Sequence, residues 1–307
     1  MKKNILFIVL FFLLSTVSFA QDAATEPTGG NEKDKPVRSP FESGYLIDAQ
    51  TTVIPNAHTL EAVIQHKFGT TENGHSDLWG IYAPANIRLG LNYVLLKNFQ
   101  IGAGITKSNM MSDLNAKWTI FQQTRKNTFP VAVALYGNVA VDGRNISAFE
   151  SGKVRVGTHD QLAKDFKFPD RLSYFSELII GRKFCDWFSL QAAVSFTHYN
   201  SVGAKFDHDR VGVHANGRIK VSPQGSIIFN YDEPLRIKKI SEQVDWTSAP
   251  RPNLAIGYEI STSTHAFQIY MGTTGGLLPQ ETMMYNQNDF TNKQISIGFN
   301  ITRLWGF

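Results

Sequence analysis

The chain has 307 residues, of which 42% are hydrophobic and 18% are charged, and its formal net charge is +4. This is an ordinary globular composition, and so small and scattered a positive charge argues against a nucleic-acid partner. Because Cys185 is the only cysteine, an internal disulfide and a zinc site built on paired cysteines are both excluded.

The first 20 residues have the pattern of a secretory signal. Lys2 and Lys3 precede an apolar run from Ile5 to Leu14, and Ser18-Phe19-Ala20 supplies small residues at the two cleavage positions. The apolar run is too short to span a bilayer as a helix. We therefore expect residues 1–20 to be removed on export and the mature chain to begin at Gln21.

Two segments precede the regular part of the chain. Residues 21–40 are polar and rich in proline and glycine, which predicts a flexible periplasmic lead. Residues 41–57 are mixed in character and are interpreted as a short strand, a plug or a latch. The pattern leaves these alternatives open.

From residue 58 to residue 307 the chain alternates between apolar and polar residues, the period of a strand with two different faces. No segment after the signal has the roughly 18 continuous apolar residues that a membrane-spanning helix needs. The predicted strands are Leu60–Phe68, Ile87–Tyr93, Phe99–Ile105, Asp113–Ile120, Val131–Val141, Leu172–Ile180, Phe188–Thr197, Arg210–Val221, Ile227–Tyr231, Leu254–Ile260, Phe267–Met271 and Gln294–Phe307.

The connections between these runs alternate in length. Those after even-numbered runs are short, whereas those after odd-numbered runs are long, except for the one near Met110. Short periplasmic turns alternating with long outer loops, with an even number of strands, are typical of a single-chain outer-membrane barrel. The sequence thus predicts an all-β fold, an antiparallel up-and-down transmembrane β-barrel of about twelve strands at residues 58–307, in the cell outer membrane.

The last run has the kind of C-terminal ending that is recognised during barrel insertion. Phe299, Ile301, Trp305 and the terminal Phe307 share one face, and this ending resembles the C-terminal signal read by the machinery that inserts outer-membrane barrels. We therefore expect that assembly machinery and outer-membrane lipid to be partners of the chain.

Four stretches resemble a known family. They are IQHKFG at 64–69, LWGIYAPANIRLGLNY at 78–93, IGAG at 101–104 and GFNITR at 298–303. They are similar to a family of Gram-negative outer-membrane β-barrel proteins catalogued only as a domain of unknown function, and the resemblance covers roughly Phe41 to Phe307. Lys67 stands where the family prefers arginine, a change that keeps the charge. The resemblance implies the barrel but supplies no activity and no site residues.

The inward parity carries ten charged residues. They are Glu61, Lys67, Arg88, Asp113, Lys117, Glu177, Arg210, Arg218, Lys220 and Glu259. They are interpreted either as a selectivity lining for a solute path or as salt bridges that fill a closed interior. Glycines of the same parity, such as Gly298, either clear a passage or permit curvature and make room for a ring such as Tyr136 or Tyr270.

One arrangement suggests an enzyme. His198, Asn200 and Ser201 lie at the outer end of the seventh run, with His198 on the lipid-facing parity. They resemble the residues of outer-membrane phospholipases, although the order of Asn and Ser differs and the glycine is displaced to Gly203. Polar residues at the edge of a loop explain the same pattern.

No cofactor or metal is expected. Asp207-His208-Asp209 and His159-Asp160 could ligate a metal from loops, but their spacing fixes no second site. Phosphate loops, nucleotide fingerprints and HExxH motifs are missing from the sequence. Cys185 is expected to be an inert thiol in a turn.

The residues therefore favour a non-enzymatic barrel that binds or passes a small solute. A lipid-acting hydrolase using His198 and Ser201 and a structural scaffold with partner-binding loops remain alternatives. Protein partners in the periplasm or at the cell surface are unknown.

Overall fold

The computed structural model describes residues 34–149, 154–156, 166–203, 205–241 and 248–307. The predicted signal at residues 1–20 and most of the predicted lead, residues 21–33, lie outside the described residues.

Almost all regular structure in the described residues is β-strand. The strands are β1 Tyr45–Leu46, β2 Ala49–Gln50, β3 Thr59–Thr70, β4 Asn86–Leu96, β5 Phe99–Thr106, β6 Met111–Phe121, β7 Ala132–Val141, β8 Val154–Val156, β9 Leu172–Lys183, β10 Phe188–Tyr199, β11 Ser201–Gly203, β12 Asp209–Lys220, β13 Gly225–Leu235, β14 Asn253–Ser261, β15 His265–Gly272 and β16 Ser296–Gly306. One α-helix, α1, spans Pro279–Tyr285, and 3₁₀ turns lie at Thr71–Asp77, Ser108–Met110, Ile146–Ala148, Phe168–Arg171 and Phe290–Asn292.

Twelve of these strands close into a barrel. Each pairs antiparallel with its neighbour along the chain, in the order β3, β4, β5, β6, β7, β9, β10, β12, β13, β14, β15 and β16. The barrel closes where β16 pairs with β3, with Trp305 opposite Leu60 and Ile301 opposite Ile64. The predicted antiparallel up-and-down barrel of about twelve strands is therefore confirmed, including the pairing of the last strand with the first.

Successive side chains on each strand point into and out of the barrel. In β6, Asp113 is 3% exposed and the next residue, Leu114, is 67% exposed. Apolar side chains thus cover the outer surface of the barrel, as expected of strands that face lipid. His66 and Arg303 also face outward, where His66 stacks on Phe299 and the Arg303 guanidinium lies 4.7 Å from the Trp305 ring centre.

The two ends of the barrel differ in their connections. One end carries the short turns at 97–98, 122–131, 184–187, 221–224 and 262–264. The other carries the long connections at 71–85, 142–171, 200–208, 236–252 and 273–295, together with the short one at 107–110. We call these the short-turn end and the long-loop end. Strand β3 begins, and β16 finishes, at the short-turn end.

Two segments that are not barrel strands lie inside the barrel. Residues 41–57 contain the small hairpin of β1 and β2, and we call this segment the inserted hairpin. Helix α1 belongs to the connection between β15 and β16. No helix among the described residues is long and apolar enough to cross a membrane.

Candidate functional site

The barrel interior is polar and almost fully buried. Nine of the ten charged residues that the sequence assigns to it are at most 6% exposed. These nine are Glu61, Lys67, Arg88, Asp113, Lys117, Glu177, Arg210, Arg218 and Glu259. The tenth, Lys220, lies near the short-turn end and its side chain is 32% exposed. Burying a charged side chain costs free energy unless the charge is paired and hydrogen-bonded. The partners of these residues therefore show how the interior is organised.

One charge pair joins strand β4 to strand β6 inside the barrel. The Arg88 guanidinium donates to both carboxylate oxygens of Asp113, from Nε at 2.9 Å and from Nη2 at 2.7 Å. Arg88 also donates to Gln65 at 3.2 Å, and Asn138 donates to Asp113 at 3.0 Å. A bidentate pair of this kind fixes both side chains, which makes this part of the wall rigid.

Three interior cations hold the inserted hairpin. They are Lys67 with the Asp48 carboxylate at 2.7 Å, Lys117 with the Gly44 carbonyl at 3.1 Å, and Arg218 with the Glu42 carboxylate at 2.7 Å. Three of the charges that the sequence placed on the inward parity are thus brought onto one segment. The sequence alone did not show which segment would receive them.

Barrel side chains also complete the backbone hydrogen bonds of the hairpin tip. Gln268 accepts from the Ile47 amide at 2.9 Å and donates to the Tyr45 carbonyl at 2.9 Å, while Asn300 donates to the Ile47 carbonyl at 2.7 Å. Thr119 donates to the Thr52 carbonyl at 2.8 Å. A short hairpin leaves such groups unpaired, and burial without partners would be costly.

A small apolar cluster anchors the hairpin as well. It contains Phe41, Leu46, Ile47, Ile228, Ala255 and Tyr270. The Tyr270 ring lies over Gly298, where an added Cβ atom would be 2.7 Å from the ring. At this position the inward glycine therefore makes room for a ring, one of the alternatives that the sequence left open.

The residues that precede the inserted hairpin contact the short-turn end of the barrel. Pro36 pairs with Thr124, and the Asp34 carboxylate accepts from the amides of Lys126 and Thr128 at 2.9 and 3.2 Å. The described end of the predicted lead is therefore bound to the turn between β6 and β7.

Helix α1 enters the interior from the long-loop end. Five of its residues are buried, and Met283 packs with Phe175, Ile179 and other interior residues. Glu281 accepts from the amides of Leu277 and Leu278, both at 3.3 Å, which caps the helix. Burial raises the pKa of the Glu281 carboxyl, and these amide donors oppose the rise.

The two inserted elements meet at Lys67. Its ammonium group lies 2.7 Å from the Asp48 carboxylate of the hairpin and donates to the Gly276 carbonyl, close before α1, at 2.9 Å. Lys67 is 1% exposed. A single wall residue, Lys67, therefore contacts both the inserted hairpin and the loop that leads into α1.

The residues of the predicted hydrolase are not assembled for catalysis. The two ring nitrogens of His198 are engaged by Asp209 at 2.7 Å and by Asn200 at 2.9 Å. Ser201 belongs to β11, where it pairs with Val156 of β8. The ring thus has no free nitrogen to act as a base for Ser201.

Groups that could bind a metal are also engaged elsewhere. Nδ1 of His208 lies 2.6 Å from the Tyr199 carbonyl oxygen. The part of the chain that the structure describes contains no cluster of three potential metal ligands. His159 and Asp160 lie outside the described residues, and Cys185 is a free cysteine in the turn at 184–187.

Comparison with known proteins places the chain among membrane barrels. Residues 41–305 match the model of a family described as a membrane bound beta barrel domain, DUF5777. No curated protein has a similar sequence.

Several solved structures are similar to this chain. The KdgM porin is 6% identical, with a TM-score of 0.43 over 81% of this chain and 99% of the porin. An outer membrane channel from Pseudomonas putida F1 is 10% identical, with a TM-score of 0.45 over 82% of this chain and 97% of the channel. The NanC porin is 7% identical, with a TM-score of 0.45 over 81% of this chain and 99% of the porin.

Proposed function

Because the chain belongs to the DUF5777 family of membrane-bound β-barrels, we propose that it is a gated outer-membrane barrel for small polar solutes. In this proposal the inserted hairpin is one gate, helix α1 is the other, and the described conformation is the closed one. The short-turn end faces the periplasm and the long-loop end faces outward, as in single-chain outer-membrane barrels.

The arrangement of the interior supports a gate over a permanent filling. The twelve strands complete their own ladder without residues 41–57 or α1, so neither element is needed to close the barrel. Barrels of eight strands are filled by their own side chains, whereas those of 16 or more hold water. Twelve strands lie between these sizes, so we expect the withdrawal of the hairpin and the helix to open a path for a small solute.

The observation that carries the proposal is the shared contact at Lys67. Because its ammonium group binds both Asp48 and Gly276, Lys67 loses one of its two oxygen partners when either element leaves. The two gates are therefore coupled through Lys67, and a solute that displaces one of them changes the interaction that holds the other. A purely structural filling has no need of such a shared contact.

Single-channel recording on refolded protein tests the gate. We would compare the mature chain with three variants: one lacking residues 41–57, one with residues 277–286 replaced by a Gly-Ser linker, and one with both changes. The double variant is expected to conduct in steps, and the mature chain is expected to stay mostly closed. A chain that begins at residue 34 keeps the hairpin and serves as the control for shortening the N-terminus.

Heat-modifiable migration on a gel verifies that each variant forms a barrel. If the double variant folds by this criterion and remains silent at all voltages, the interior is not a solute path and the proposal fails.

A further inference from the structure

Three inward-facing side chains on consecutive barrel strands form a hydrogen-bonded chain beneath α1. Ser195 is on β10, His214 on β12 and Asp232 on β13. The Ser195 hydroxyl oxygen lies 2.7 Å from Nε2 of His214, and Nδ1 of His214 lies 2.7 Å from a carboxylate oxygen of Asp232. All three residues are at most 7% exposed. We call them the interior triad, and the gate does not use them.

The partners of Asp232 fix the direction of the proton chain. Its second carboxylate oxygen accepts from Asn230 at 3.0 Å and from Asn253 at 2.8 Å. Because a carboxylate only accepts, Nδ1 of the neutral imidazole carries the proton and Nε2 is free to accept from Ser195. This is the arrangement in which histidine acts as a base for a serine nucleophile.

A glycine in the wall lets the serine, the imidazole and α1 approach one another closely. Gly212 lies opposite Ser195, and an added Cβ there would be 2.7 Å from the Ser195 oxygen and 3.1 Å from Nε2 of His214. The sulfur of Met283 approaches the same point from α1. In the closed conformation α1 therefore covers the hydroxyl, and withdrawal of α1 uncovers it.

A small cavity adjoins the triad. Its volume is about 20 Å³, and His214, Asp232 and Glu177 line it together with Asp48 of the hairpin and Met283. A volume of this size holds about one water molecule when polar groups surround it. The cavity therefore places a space of about one water molecule beside the His214 imidazole.

We propose that Ser195 is a nucleophile toward short-chain acyl esters of polar alcohols, and that it reacts when α1 has left the interior. His214 acts as the base, and Asp232 is a positioning residue that holds the imidazole. Phe175 and Met283 give the site a small apolar wall that suits a short acyl chain, while Asp48, Gln50 and Glu177 give it polar groups that suit a polar alcohol.

The reaction proceeds in two balanced steps. The Ser195 oxygen attacks the ester carbonyl carbon, its proton passes to Nε2 of His214, and the alcohol leaves with that proton, giving an acyl-serine. Water then attacks the acyl carbon, gives a proton to His214, and the carboxylic acid departs as the proton returns to Ser195.

Labelling by an alkyl fluorophosphonate, located by peptide mass spectrometry, tests the nucleophile. The probe is applied to the refolded mature chain and to the variant in which a Gly-Ser linker replaces residues 277–286. We expect modification of Ser195 in the linker variant and at least about 100-fold slower modification after His214→Asn in that background. p-Nitrophenyl acetate hydrolysis should fall in parallel.

Matched serines on the same strand control for accessibility. Ser189 also lies on β10 and is 1% exposed, so Ser189→Ala should leave the label in place while Ser195→Ala removes it. If the folded linker variant shows no label at Ser195, or if His214→Asn labels as fast as its parent, the triad is a structural network and the proposal is overturned. Channel recordings report on the gate separately, so either result can stand without the other.

Discussion

The inserted hairpin and helix α1 fill the same interior, but different interactions hold them. The hairpin is bound mainly through charges and main-chain groups, as in the contacts of Asp48 and Ile47 with the wall. Helix α1 is bound more by the packing of Met283, only 1% exposed, and of the fully buried Met284, beside a hydrogen bond from Gln280 to Asn138 at 2.8 Å. Water and ions compete with the first kind of contact, whereas the second is released only by exposing apolar surface.

This difference suggests that the two gates respond to different conditions. A polar solute arriving at the hairpin can replace its hydrogen bonds one by one. Helix α1 has to lose its packing in one step, since its side chains fit between interior residues of the wall. The comparison can be tested by removing contacts that belong to both elements, to the helix alone and to the hairpin alone.

The largest effect is expected from Lys67→Met, which removes the contact shared by both elements. Asp48 would be left buried without its cation, at a cost of about 3 kcal/mol, or roughly a hundredfold in the ratio of closed to open barrels. Single-channel recording measures this ratio. Lys97→Met, which removes an exposed charge in the turn at 97–98, should behave as the parent does; an equal effect there would mean that net charge, not the shared contact, governs opening.

A smaller effect, on the helix alone, is expected from Met283→Ala. The change removes buried apolar contacts worth about 2 kcal/mol, at the low end of the range for truncation of a core methionine. Proteolysis within residues 273–295 should become faster, while residues 41–57 stay protected. Met110→Ala is the control, since Met110 is 64% exposed. If residues 273–295 resist proteolysis equally in Met283→Ala and in the parent, the packing of Met283 does not hold α1.

The smallest effect is expected from Thr119→Val, which acts on the hairpin alone. It removes the hydrogen bond to the Thr52 carbonyl at nearly constant shape and should cost about 1 kcal/mol. Thr106→Val is a matched control, because the Thr106 hydroxyl is buried without a hydrogen-bond partner in the described part of the chain. The protection of residues 41–57 from proteolysis is measured at increasing urea concentration for both variants. Identical urea midpoints for Thr119→Val and Thr106→Val would contradict a role of this hydrogen bond in holding the hairpin.

Much of the barrel could be predicted from the sequence. The family resemblance carried by the four motifs is confirmed by the match over residues 41–305. The twelve alternating runs correspond to the twelve barrel strands, and the last run pairs with the first as expected. These features depend on a local rule, because neighbouring side chains on a strand always point to opposite faces.

The insertion signal at the last strand, the cleavage of residues 1–20 and the expected partners stay predictions. The alternative hydrolase also stays a prediction, although both ring nitrogens of His198 are engaged, by Asp209 and by Asn200. Its appeal lay in three polar residues close together in sequence. The interior triad instead brings together Ser195, His214 and Asp232 from three strands, with nothing in their spacing to mark them.

The sequence by itself determined which residues face inward, how many strands the barrel has and which end carries the long loops. It gave residues 41–57 no definite place, because their mixed composition has no period to interpret. Only the tertiary structure decided that this segment enters the barrel, that Lys67 joins it to the loop of α1, and that Ser195 meets His214. The physical reason is that facing inward follows from the backbone of one strand, whereas contact across the interior depends on the register and curvature of all twelve.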